Sequence, residues 1–69
     1  MQAINRYQYK ELNHILWDSK RDFINPEDAF KLYERRWSYI DQHKLTDKEK
    51  QLINLLTEQV GKGLFMPAL

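Results

Sequence analysis

His14 and Asp18 stand four residues apart, with Asp22 four further on. On a helix this spacing can orient an imidazole or hold part of a metal site. Two or three scattered ligands and no cysteine fall short of a structural zinc site. Asp22 is also expected beyond the end of the helix, so these residues read as surface polarity. His43 lies in a turn without an evident partner. Gly61, Lys62 and Gly63 look like a fragment of a phosphate loop, but the preceding strand and the remaining motif residues are missing, so they read as a helix stop. No nucleophile stands beside a base, and no carboxylate pair can be assigned to a pocket. A chain this short has little room for a substrate cavity of ~300 Å³ or more. The expectation is a protein that is not an enzyme and uses no cofactor or metal.

The remaining chemically distinctive residues suggest binding. Tyr7, Lys10, His14 and Trp17 recur at helical spacing, almost opposite the apolar stripe of Ile4, Tyr9, Leu12, Ile15 and Leu16. Tyrosine and tryptophan bury much area at little entropy cost, which suits a contact surface. The competing reading is that Leu64, Phe65 and Met66 fold back and cover them. Arg36 falls in the middle of an apolar face. Such a guanidinium needs a partner or must reach outward. An internal pair with Asp18, Asp22 or Glu11 is expected, the alternative being an anionic group on a ligand or partner. Arginine beside tryptophan, as in Arg35, Arg36 and Trp37, occurs where bases stack in nucleic-acid sites. Here the helical wheel sends Arg35 to the polar half and Trp37 to the core. Arg35 completes the candidate partner-binding set with Tyr7, Lys10, His14 and Trp17.

The elements that would position these residues read as three helices, over about residues 4–17, 26–41 and 47–60. The central one has the strongest start, with Asn25 as cap, Pro26 in the first turn, and Glu27 and Asp28 at the positive end of the dipole. Its apolar residues, Ala29, Phe30, Leu32, Tyr33, Trp37, Tyr39 and Ile40, occupy about half the wheel, wider than the ~100° stripe that one neighbour requires. A neighbour on each flank follows, with Trp37 largely buried. Phe23 and Ile24 are expected to dock just before the Asn25 cap. Thr46 and Glu49 form a capping box that starts the third helix. Leu52, Ile53, Leu55, Leu56 and Val60 make its stripe, and Gly61 stands where a left-handed terminator is expected. No period-two alternation is long enough for a sheet. The fold class is therefore all-α, a compact three-helix domain with an apolar C-terminal tail packed on it.

Charge and hydropathy restrict the partner. Formal net charge is +1, from 11 basic and 10 acidic residues spread along the chain, which argues against a general polyanion binder. No apolar run reaches the ~18 residues of a membrane span. The first residues lack a signal-peptide core, and the absence of cysteine fits a reducing compartment. These readings lead to a small cytoplasmic protein that binds a protein partner, as an inhibitor, adaptor or antitoxin-like molecule. A homodimer through the Tyr7 and Trp17 face is a second arrangement. A different class, the helix-turn-helix nucleic-acid binder, would read bases with Gln51 and Asn54, although Asp47, Glu49 and Glu58 leave that helix slightly negative.

Overall fold

The chain enters the fold through a strand. A computed structural model describes residues 2–68. Ile4–Asn5 is β1, and it pairs antiparallel with β2, Phe23–Ile24, setting Ile4 opposite Ile24 and Asn5 opposite Phe23. The structure is thus mostly helical with a small two-stranded sheet that the periodicity did not show. Each strand is too short for any alternation to be visible.

The expected helix over 4–17 is therefore divided. The Asn5 side chain accepts from the Tyr7 backbone N–H at 3.0 Å, closing a local turn. Arg6–Gln8 makes a single 3-10 turn and Tyr9 is extended at φ −133°. Only Lys10–Ile15 is α1. Ile4, Leu12, Ile15 and Leu16 are all buried nonetheless, because a strand followed by a short helix can turn the same residues inward.

Pro26–Arg35 is α2. Asn25 occupies the cap position with its side chain unused, and its carbonyl instead accepts from Ala29 N–H at 2.9 Å. The helix stops at Arg36, whereas a helix to residue 41 was expected. A continuous helix would hold Arg36 in the middle of the apolar face; ending there lets its guanidinium leave that face. A 3-10 turn, Trp37–Tyr39, follows, and it buries Ile40 but turns Tyr39 out to solvent. A second turn, Gln42–Lys44, leads to α3, Asp47–Gln59.

Thr46 Oγ1 accepts from Glu49 N–H at 3.1 Å, half of the capping box. The other half is absent, because the Glu49 side chain is engaged elsewhere. Leu55 is partly exposed, while Leu52, Ile53 and Leu56 pack on α2 and α1. At the end of α3 the left-handed residues are Lys62 and Gly63, not Gly61. Gly61 is required for another reason: a Cβ there would strike the Phe30 ring and the Leu64 carbonyl.

The tail does pack, though not where it could cover Tyr7 and Trp17. Phe65 meets Trp37 edge-on, ring centroids 5.0 Å apart, and lies 6.0 Å from Phe30. Glu34 secures the tail by accepting from Met66 N–H at its carboxylate and from Ala68 N–H at its carbonyl, both at 2.7 Å. Leu64 and Met66 remain exposed. Trp37 is half-buried under Phe65, less than expected. No described helix is long and apolar enough to cross a membrane.

Candidate functional site

A helix as short as α1 is marginal alone, since isolated helices below ~12 residues rarely persist in water. Three charged side chains from other segments hold it. At its N-terminus the fully buried Glu49 carboxylate accepts from the backbone N–H groups of Glu11, at 3.1 Å, and Leu12, at 2.8 Å. The negative charge also faces the positive end of the helix dipole. Tyr33 donates its hydroxyl to the same carboxylate at 2.6 Å. Burial, and then this bond to Glu49, pushes the Tyr33 phenol far above its ordinary range.

At the other end Arg6 is buried and uses all five of its guanidinium N–H groups. Nε donates to Asn13 Oδ1 at 2.7 Å, and Nη2 donates to the carbonyls of Asn13 and Leu16. Nη1 donates to the carbonyls of Ser19, at 2.6 Å, and Arg21, at 3.1 Å. The cation thus caps the negative end of α1 and pins the loop that follows. Arg36 adds a bond from Nη1 to the Ile15 carbonyl at 2.8 Å. The buried Glu11 carboxylate accepts from Asp41 N–H at 2.9 Å and fixes the chain after α2.

What this frame presents to solvent is an aromatic pair on an ion pair. Arg36 makes a two-pronged contact with Asp18, at 2.9 and 2.8 Å. Of the three carboxylates considered for Arg36, Asp18 is the partner, and this is the single salt bridge among the described residues. The Arg36 guanidinium holds the Asp18 carboxyl down at about 2. The same guanidinium lies 4.2 Å over the Trp17 ring, a favourable cation–π position. Tyr39 meets Trp17 edge-on at 5.2 Å and 73°. Trp17 remains 56% and Tyr39 61% exposed, so both rings are oriented without being covered.

Of the five candidate contact residues, Trp17 belongs to this cluster and three others flank it. Lys10 and His14 share a shallow groove with Tyr39, Asp41 and Lys44. Arg35 lies beyond Arg36, on the rim of a cleft between the 18–21 loop and α2. Tyr7 is set apart: it sits in the 3-10 turn and donates its hydroxyl to Asp22 at 2.9 Å, which raises its pKa. The proposed single face of Tyr7, Lys10, His14 and Trp17 is therefore broken, because no continuous helix connects Tyr7 to the rest. The described residues contain no metal-binding cluster of His, Cys, Asp and Glu, and Asp18 faces Arg36 instead of His14.

Sequence reasoning missed Tyr39, Arg6 and the destination of Glu49. Tyr39 falls on the core side of the wheel only if α2 continues past Arg36, and it does not. A charged residue in the centre of an apolar face was the available sign that the helix stops there. For Glu49 the capping-box pattern gave a correct local bond and concealed the longer-range ones. Comparison of this chain with protein-family models, with curated proteins and with solved structures returned no match.

Proposed function

We propose that this is a small protein that acts by binding another protein, as an inhibitor, adaptor or antitoxin-like molecule, through the surface around Trp17 and Tyr39. The observation behind this reading is that two large aromatic rings, each more than half exposed, meet edge-on, with the Arg36 guanidinium seated over Trp17. Rings oriented in advance lose little freedom on binding, and tryptophan, tyrosine and arginine are the residues that dominate contact energies. Lys10, His14 and Arg35 stand on either side as a polar rim. A cytoplasmic setting accords with the lack of cysteine.

The second reading, a helix-turn-helix nucleic-acid binder, is disfavoured by the connection between α2 and α3. It runs from Arg36 to Thr46 through two 3-10 turns, far longer than the three- or four-residue turn of that motif, roughly.

Affinity capture with the parent and with a Trp17→Ala, Tyr39→Ser variant tests the reading. A specific protein recovered by the parent and lost by the variant, with helix content unchanged by circular dichroism, is the expected result. Equal recovery by both would refute the assignment of the surface. A parent that retains only nucleic acid, with an affinity falling steeply as salt is raised, would favour the second reading.

A further inference from the structure

The cleft beside the aromatic cluster has a volume of about 280 Å³ and an unbalanced lining of charge. Arg21, Lys31, Arg35 and Arg36 face it together with Asp18 and Asp28. The whole chain carries only +1, so the cleft holds an excess of positive charge that the rest of the surface lacks. Arg36 neutralises Asp18. Among the described residues Arg21, Lys31 and Arg35 form no salt bridge. Lys31 and Arg35 lie one turn apart on α2 and therefore point the same way.

The opposite wall is fixed before any ligand arrives. Arg6 donates to the carbonyls of Ser19 and Arg21 from inside the molecule, Ser19 N–H donates to the Leu16 carbonyl, and Arg36 grips Asp18. A ligand entering here does not have to order the loop, a cost that weakens many surface sites. The floor is apolar, formed by Leu16, Ile24 and Leu32.

We infer that this cleft receives the acidic side chains of an extended segment of the partner protein, whose neighbouring apolar residue lies on Trp17 and Tyr39. The inference rests on the protein-binding role proposed above and supplies the chemistry of the partner. Three observations select this occupant. The volume lies at the lower edge of the ~300–1,000 Å³ of sites that engulf a drug-sized ligand, so it accommodates individual side chains of a segment lying across it. Charge complementarity favours an anion. Asp28, also in the lining, would repel a continuous phosphate backbone, whereas a peptide can turn a backbone N–H to it and set its carboxylates beside Arg21, Lys31 and Arg35. The aromatic cluster and the cleft share Arg36, so one short segment can reach both.

The test is a titration of the full-length ¹⁵N-labelled protein with a synthetic capped peptide, Glu-Asp-Leu-Glu-Phe-Glu, followed by amide and indole shifts. The control peptide replaces each acid by its amide. Shifts concentrated at Ser19, Arg21, Lys31, Arg35 and the Trp17 indole, absent with the control, are expected. A Lys31→Glu, Arg35→Glu variant should lose about tenfold or more in affinity, because reversed charge sets like charges face to face. A Lys50→Glu, Lys62→Glu variant has the same net charge change on exposed positions elsewhere, and should change affinity by less than about twofold, the range of a screened long-range field. Equal losses in both variants, shifts scattered elsewhere, or no shift at millimolar peptide would overturn the inference. So would tighter binding of a single-stranded oligonucleotide at the same residues, or shifts that depend on protein concentration alone, the mark of a second copy in the cleft. Once the natural partner is in hand, a complex that needs Trp17 and Tyr39 but tolerates reversal of Lys31 and Arg35 refutes the cleft alone. A complex indifferent to the aromatic pair refutes the underlying role.

Discussion

The two ends of this small molecule are held by opposite means. Around α1 the organising groups are charged: Glu49 at one helix end, Arg6 and Arg36 at the other, and Glu11 beneath the turn after α2. Where α2, α3 and the tail meet, the organising groups are rings: Phe30, Trp37 and Phe65, with Gly61 set against Phe30 to let them close. The aromatic end relies on area, which is forgiving of small shifts and scales at ~25 cal/mol per Å². The charged end relies on direction, since each polar group there must find its partner or carry a desolvation penalty. The exposed Trp17 and Tyr39 stand on the directional end, where a ring can be held in place without being buried.

That contrast predicts that removing one charge from the directional end does more damage than a small change of packing at the aromatic end. Glu49→Ala strands two backbone N–H groups and the Tyr33 hydroxyl in the interior. It should cost about 3–5 kcal/mol. That is comparable to the ~3–5 kcal/mol that a single small core supplies, so the variant should be largely unfolded in urea titrations at room temperature. Glu49→Gln, which keeps an acceptor, should be intermediate. Arg6→Lys should also be clearly destabilised, because an ammonium cannot reproduce the fork of five N–H groups. A Glu49→Ala protein with the parent's urea midpoint would end the distinction between the two regions.

At the aromatic end the sharper probe is an addition. Gly61→Ala forces a methyl group against the Phe30 ring and should cost about 1–3 kcal/mol, the range for overpacking. Gly63→Ala meets no neighbour, but its φ of +86° is unfavourable for a side chain. The strain of about 1–2 kcal/mol should appear there without any change in the Phe30 and Phe65 ring resonances. If both substitutions disturb those resonances equally, the packing explanation for Gly61 fails.

The smallest effect belongs to the exposed ion pair. The Asp18 pKa falls from the ordinary 3.8 to about 2 in the fold, so unfolding raises its affinity for a proton. Its contribution is complete above about pH 4 and disappears as pH falls toward about 2. In Asp18→Asn that segment of the stability–pH curve should flatten, and Trp17 fluorescence should lose its acid-dependent change. A curve superimposable on the parent's would show that the pair adds nothing measurable, as many surface pairs do.

The apolar end was the more legible in the sequence. The spacing of Leu52, Ile53 and Leu56 follows from burial, which leaves a periodic trace. The start of α2 is marked by Pro26 in its first turn, and the apolar run around Phe65 announces that the tail packs. Arg36 was recognised as needing a carboxylate because its position contradicted its surroundings. Arg6 and Glu49 left no such trace. Arg6 lies in a polar stretch where an arginine looks solvated, and the partners of Glu49 are backbone groups on a helix whose limits were themselves misplaced. A side chain bonding to distant backbone has no spacing rule. The same blind spot affected the site. Lys10, His14 and Arg35 gather around the aromatic cluster that holds Trp17, but Tyr7 does not, because the 3-10 turn Arg6–Gln8 and the extended Tyr9 separate it from α1.

The capping of α1 by Glu49 also implies an order in time. The amides of Glu11 and Leu12 wait for a carboxylate lying 38 and 37 positions further along the chain. A nascent α1 has neither the length to persist nor its cap until α3 has formed and come alongside. Formation of α3 should therefore precede that of α1 on the folding path. In hydrogen exchange the Glu11 and Leu12 amides should be as slow as the global opening, despite lying in the shortest helix, because only release of α3 uncovers them.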